Sequence, residues 1–186
     1  MTATDNCFIY RTDRLGVRAL ERADLEGGYP LWFRDAEVCR YNSHGTFPKR
    51  LPELTAYIDA LAGDRSKVVW AVVDLASGRH IGNMSLQAID YINRSAEFAV
   101  LMGEKEYWGR GYAREAGELL LRHGFMKLNL HRVYCGTAAG NTGMQKLAAA
   151  LGMVREGVRR QALFLNGEYA DVWEYGVLKD EFLAGR

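Results

Sequence analysis

AEFAVLMGEKEYWGRGYAREA, residues 96–116, changes its period half-way along. Residues 96–102 form an apolar, strand-like run, whereas from Tyr112 onward Ala113, Ala116 and Leu120 recur at the three- and four-residue steps of one helix face. Between them lies GRGYA, with Gly109 and Gly111 two positions apart. Closely spaced glycines let successive backbone N–H groups point into one concavity, and a helix start adds free N–H groups and a dipole that favours anions. The stretch reads either as an anion-binding turn or as a plain strand-to-helix connection. Spacing excludes two other phosphate binders: no lysine follows the glycines as a P-loop requires, and Arg114 breaks the GxGxxG of a dinucleotide fingerprint.

Working outward, VVWAVVD (68–74), an ASGR turn, HIGNMSLQAI (80–89), a YINRS turn and the 96–102 run give three neighbouring strands. Their short connections demand antiparallel pairing. HRVYCGT (131–137) follows the helix, so it can return parallel to 96–102 by a right-handed crossover. Upstream, RLGVRAL (14–20) alternates like a strand, Ala23-Asp24 offers an N-cap for a helix running toward Trp32 and Phe33, and RYNSHGTFPKR (40–50) is a loop. Pro52 and Glu53 then open a helix with Leu54, Ile58 and Leu61 on one face. Downstream, Asn141 caps a helix with Met144, Leu147 and Leu151 inward, and Gly152 stops it. Residues 157–165, the type I′ signal Asn166-Gly167 and YADVWEYGVL (169–178) close the chain as a hairpin. The order β-α-α-β-β-β-α-β-α-β-β predicts an α/β (α+β) fold with a mixed, mostly antiparallel sheet and helices on both faces. Without a repeat or linker, residues 1–186 are expected to be one domain.

Twenty-four basic against 23 acidic residues leave a net charge of +1, which implies no sequence-independent attraction to nucleic acid or an anionic membrane, and the absence of a strong negative patch argues against polyamines as ligands. Cys7, Cys39 and Cys135 form no CxxC pair, and His44, His80, His123 and His131 lack ligand spacing, so neither a disulfide framework nor a metal site is expected. The N-terminus has no apolar run of signal-peptide or membrane length, and a cytoplasmic location is expected.

EYWGRGYAREA resembles the pyrophosphate-binding motif of the GNAT N-acetyltransferase superfamily, and several further blocks occur in that family's order: NLHRVYCGT, NTGMQKLAAALGM and NGEYADVWEYGVLKDEF. The likeness runs from about Thr12 to Phe182. Trp108 stands where the family pattern has Gln or Arg, a variant similar to the WGKGYA form of the ribosomal-protein N-terminal acetyltransferase (RimJ/RimL) branch. The resemblance implies a GNAT fold in which the 96–102 and 131–137 strands splay apart and acetyl-CoA lies in the gap. It implies that the backbones of Val100, Leu101 and Met102 bind the pantetheine arm. The amides of Trp108, Gly109, Arg110, Gly111, Tyr112 and Ala113 would hold the pyrophosphate, and Asn141 the thioester end.

The same resemblance gives Glu97 the role of base. His44, Tyr169 and Asp171 would contact the acceptor. The family's tyrosine acid is replaced by Ala148, where Ala148→Tyr is expected to be tolerated, and the serine of some ribosomal acetyltransferases by Met144. The activity implied is direct transfer from acetyl-CoA to a primary amine: a protein N-terminal α-amine, an amino sugar or another small amine. The two missing groups motivate an alternative, a non-catalytic acyl-CoA-binding module. A small-molecule or peptide amine is the partner expected, and a homodimer stays open.

Overall fold

Connection length governs how the strands pair. The computed structural model describes residues 8–185, so Cys7 and the start of the N-terminal stretch lie outside it. β1 (Tyr10–Arg11), β2 (Leu15–Ala19), β3 (Val68–Asp74), β4 (His80–Asp90) and β5 (Ser95–Met102) are successive antiparallel neighbours. β6 (Arg132–Ala138) returns parallel to β5 after helix α3 (Tyr112–Met126). β7 (Val154–Leu165) and β8 (Glu168–Leu178) form the closing hairpin, with β8 paired antiparallel to β6. The result is one eight-stranded sheet in the order β1-β2-β3-β4-β5-β6-β8-β7. Asn166 (φ 53°) and Gly167 (φ 89°) take the left-handed backbone that a type I′ turn needs.

Side-chain alternation along β5 sorts the two faces. Ala96, Phe98, Val100 and Met102 meet α3, whose Leu120, Leu121 and Phe125 are completely buried with Leu86 and Val133. On the opposite face a short helix α1 (Tyr29–Trp32) and α2 (Leu51–Ala60) press Tyr29, Trp32, Leu54 and Ile58 onto Ala71, with Leu101 packed against them. Helix α4 (Thr142–Ala150) covers β6 beside α3, and α5 (Lys179–Ala184) returns Phe182 to the first core. On α3, Arg114 donates to Glu118 one turn later at 3.0 Å.

The first helical segment differs from the sequence expectation. Arg22–Glu26 is a 3₁₀ helix that ends at Gly27, and α1 is a separate turn after Gly28. Asp24 is not the cap: it lies inside that first turn and is 4% exposed. Its carboxylate accepts from both terminal nitrogens of Arg18 (2.8 and 2.6 Å) and from the Glu21 amide (2.8 Å), with His80 Nδ1 at 3.0 Å. A buried anion needs such partners, and they decide its place. Burial alone would raise the Asp24 pKa, but the bonds from Arg18 and His80 outweigh it and hold the carboxyl well below the usual carboxylate range.

Among the described residues no helix is long and apolar enough to cross a membrane, and no three His, Cys, Asp or Glu side chains gather to hold a metal ion. Cys39 and Cys135 are free thiols.

Asp24→Asn is expected to cost about 3 kcal/mol, because it removes the buried charge that accepts from both terminal nitrogens of Arg18. Since the folded-state pKa is depressed, the stabilisation is present above the unfolded value of about 3.9 and is lost as pH falls below it. Denaturant titrations should therefore show a gap between wild type and variant at pH 7 that closes toward pH 2; a gap independent of pH would refute the assignment.

Candidate active site

The parallel ladder between β5 and β6 has three rungs, Ser95–Arg132, Ala96–Val133 and Glu97–Tyr134, and then ends. Beyond it β5 stays with β4, and β6 stays with β8. The strands part into a V, the splay expected from the resemblance, and a cavity of about 720 Å³ opens there. Gly103 donates its amide to the Ile81 carbonyl at 3.1 Å. Because backbone bonding alternates along a strand, Leu101 turns its backbone toward β4, whereas Val100 and Met102 turn theirs into the gap. Val100 and Met102 thus present backbone groups to the gap, and Leu101 is also part of the cavity wall.

At the end of β5 a 3₁₀ turn (Lys105–Tyr107) leads into the glycine turn. Gly109 (φ 71°) and Gly111 (φ 84°) are left-handed, and Gly111 is the N-cap of α3. A Cβ at Gly109 would meet no atom within 4 Å, so the concavity is open to a ligand. Trp108 uses its own amide on the Lys105 carbonyl (3.0 Å), and Glu115 is the residue whose amide returns to Gly111 (3.0 Å). The amides of Gly109 to Ala113 lie between, at a helix start where N–H groups lack intrahelical partners. The indole of Trp108 donates to the Met102 carbonyl at 2.9 Å, bridging the strand end and the turn. Trp108, Gly109 and Ala113 line the cavity. Arg110, Gly111 and Tyr112 lie outside its wall: the Arg110 carbonyl accepts from Arg14 (3.1 Å) and the Tyr112 hydroxyl donates to Asp74 (2.8 Å).

Asn141, Met144 and Leu147 form the α4 side of the cavity. Asn141 caps its helix by accepting the Met144 amide at 3.1 Å, which fixes the side chain at the cavity edge. Ala148 points the other way, fully buried between α4 and the core, so its replacement by tyrosine has no room. The tolerance expected from sequence does not survive this burial.

Glu97 stands on the last rung of the ladder with Tyr134 beside it, and Gln87 Nε2 donates to its Oε2 at 3.3 Å. Both Glu97 and Gln87 line the cavity. The wall opposite comes from the segment between α1 and α2, including Glu37, Tyr41 and His44. Lys105 bridges this segment to the glycine turn through Asp35 (2.9 Å) and Glu37 (3.0 Å). The His44 ring meets Phe33 edge-on at 5.5 Å, and withdrawal from water, then the Lys49 charge, lowers its pKa. A neutral imidazole is therefore present near pH 7.

Two predicted acceptor contacts fall outside the cavity wall. Tyr169 is 68% exposed on the closing hairpin and stacks on Phe164. Asp171 accepts the Gln161 amide (2.9 Å) where β7 bulges, a structural duty. Residues that sequence reading missed include Gln87, Arg14 and Asp74. Local patterning carries no sign of them, since their partners lie 10 to 101 positions away along the chain.

Comparison with known proteins adds to this geometry. Residues 14–154 match the model of the acetyltransferase (GNAT) domain. The chain is 32% identical over 179 residues to spermidine N(1)-acetyltransferase of Vibrio cholerae, covering 91% of this chain and 96% of that one. It is 33% identical over 108 residues to the putative ribosomal N-acetyltransferase YdaF of Bacillus subtilis, covering 58% of each. The crystal structure of the Vibrio cholerae spermidine acetyltransferase with CoA and spermine superposes with a TM-score of 0.83 at 31% identity, covering 92% of this chain and 99% of that one.

Gly111→Glu adds a side chain at positive φ and a negative charge beside the open amides, so calorimetry should detect no CoA binding. Unchanged affinity would refute the cradle. Ala148→Tyr is expected to lose about 1–3 kcal/mol from overpacking, read as a lower denaturation midpoint.

Proposed function

The chain belongs to the GNAT acetyltransferase family and is an N-acetyltransferase that uses acetyl-CoA, and on that premise we propose that its acceptor is a primary amine of a small, flexible polycation of the polyamine type. The observation that carries the reading is the Glu97 carboxylate, set where β5 and β6 part and facing the cavity. Near-full-length likeness to spermidine acetyltransferases supports it over a protein N-terminus, for which the ribosomal relative matches a shorter stretch. The absence of a strong negative patch, which argued against polyamines, is a reading of the sequence as a whole; in the cavity the Glu97 carboxylate has the neutral Gln87 as its partner, while Glu37 is paired with Lys105 and Arg40 and Arg159 also line the wall. The protein N-terminal reading of the ribosomal branch stands second, on the 33% identity to YdaF. We take residues 1–186 as one GNAT domain, because β8, beyond the matched residues, pairs with β6 and brings Val172 to the cavity.

In this reading the amides of Gly109 to Ala113 hold the pyrophosphate, and Val100 and Met102 pair with the pantetheine arm as an added strand. Asn141 orients the thioester end. Glu97, steadied by Gln87, accepts a proton from the incoming ammonium, directly or through one water. The neutral amine then attacks the thioester carbonyl; the C–N bond forms, the C–S bond breaks, and the proton shed by the new amide nitrogen passes to the thiolate of CoA. A thiol pKa of about 8.5 makes that last transfer easy near neutral pH without a dedicated acid. This accommodates Met144 and Ala148 at the positions where relatives carry hydroxyls. Most of the rate then comes from holding amine and thioester together.

A panel of spermidine, spermine, amino sugars and N-terminal peptides, assayed by thiol release from acetyl-CoA, tests the acceptor. Saturable turnover with spermidine or spermine is expected, and turnover confined to peptides would overturn the choice. Glu97→Gln should lower kcat/KM by about 10²-fold near pH 7. That loss should shrink as pH rises and more of the amine is already neutral. A variant equal to wild type across the pH range would remove Glu97 from the chemistry.

A further inference from the structure

Asp74 ends β3 on the far side of the glycine turn from the cavity and is 4% exposed. One of its carboxylate oxygens accepts from the Ser77 amide (3.0 Å) and hydroxyl (2.6 Å), closing the β3–β4 turn. A tight turn needs no more than this. The carboxylate also reaches both flanks of the glycine turn, which lies 33 and more residues away along the chain. Its other oxygen accepts the Tyr112 hydroxyl at 2.8 Å, and the Tyr107 hydroxyl lies 3.4 Å from the first oxygen and 3.2 Å from Ser77 Oγ. Tyr107 and Tyr112 are the residues immediately before and after Trp108–Gly111. Their rings meet edge to face, 5.2 Å apart and 88° inclined. Arg14 closes the outside: it pairs with Glu115, donates to the Arg110 carbonyl (3.1 Å), and lies 4.7 Å over the Tyr112 ring.

We propose that Asp74 is a positioning residue for acetyl-CoA, which fixes the two ends of the phosphate-binding turn through Tyr107 and Tyr112 without touching the ligand. The inference rests on the reading that Gly109 to Ala113 hold the pyrophosphate. A turn with two left-handed glycines has many accessible conformations, and holding its ends together keeps the amides convergent before the ligand arrives. The hydrogen bonds to Asp74 keep its carboxyl ionised against the opposing effect of burial, so it accepts at physiological pH. Because Asp74 is remote from Glu97 and the acceptor wall, its effect falls on donor binding alone.

The test compares CoA affinity by calorimetry with steady-state kinetics for Asp74→Asn, Tyr112→Phe and their double variant, with Gly111→Glu as a reference for the cradle. Asp74→Asn is expected to raise the CoA Kd and the KM for acetyl-CoA about tenfold, equivalent to about 1.4 kcal/mol. The kcat at saturating acetyl-CoA and the KM of the amine stay within about twofold of wild type. The double variant should be no worse than the single Asp74→Asn, the coupling of two groups that share one bond. Should Asp74→Asn not fold, Tyr112→Phe alone carries the test, with a smaller rise in Kd and an unchanged kcat. Wild-type CoA affinity in a folded Asp74→Asn or Tyr112→Phe variant, while Gly111→Glu abolishes binding, overturns the anchor and leaves the cradle standing. Wild-type affinity in Gly111→Glu removes the cradle and the anchor with it. Additive effects in the double variant, or a kcat that falls in step with 1/KM, also overturn the positioning role.

Discussion

β5 and β6 pair for three rungs and then separate, although each has residues left to pair. A strand that leaves its partner strands its inward-facing backbone groups, and a buried, unbonded N–H or C=O costs about 1–3 kcal/mol. The fold tolerates this at Val100 and at the Met102 amide, the Met102 carbonyl being taken by the Trp108 indole, because the parting strands open a cavity rather than closing on a dry core. In the reading proposed above, what the sheet gives up along that edge the pantetheine arm of acetyl-CoA would supply as amide donors and acceptors in a strand-like line. The geometry is held open from both directions: β4 keeps β5, and β8 keeps β6.

The remaining parts of the site are arranged around that gap. α3 starts where the gap ends, with its free amides at that end, and Glu97 sits where the gap begins. Ion pairs and hydrogen bonds between distant segments set the two walls. Lys105 ties the segment between α1 and α2 to the approach of the glycine turn, Trp108 ties that turn to the end of β5, and Trp32 donates to Glu104 at 2.9 Å. Acceptor wall and donor cradle are thus fastened to one short stretch, residues 104–108. Such fastening is how a rate that depends on proximity is obtained without a dedicated proton donor.

Much of this was legible in sequence because it is local. The periods of 68–74, 80–89 and 96–102, the change of period at Tyr112, and the Asn-Gly turn at 166–167 reflect interactions within a few residues, and each element formed where expected. The glycine turn was legible for the same reason, since its place between a strand and a helix start is a local pattern. The failures are non-local. Asp24 looked like a cap and became a buried anion because Arg18 and His80 converge on it. Tyr169 and Asp171 alternate like inward residues, but the bulge in β7 and the hairpin's reach place them outside the cavity wall. Ala148 gives no sign in sequence of how completely it is enclosed. Net charge, a property of the whole chain, says little about the acceptor, because recognition depends on the few groups that face the cavity.

The central claim is that acetyl-CoA completes the sheet in the gap after Glu97. Amide hydrogen exchange with and without acetyl-CoA measures it most directly, since it reads the backbone groups in question. New protection is expected at Val100 and Met102 and across Gly109 to Ala113, while the closing hairpin around Asn166 stays unchanged. Saturating acetyl-CoA that left Val100 and Met102 exchanging as in the free protein, with protection elsewhere, would contradict the account.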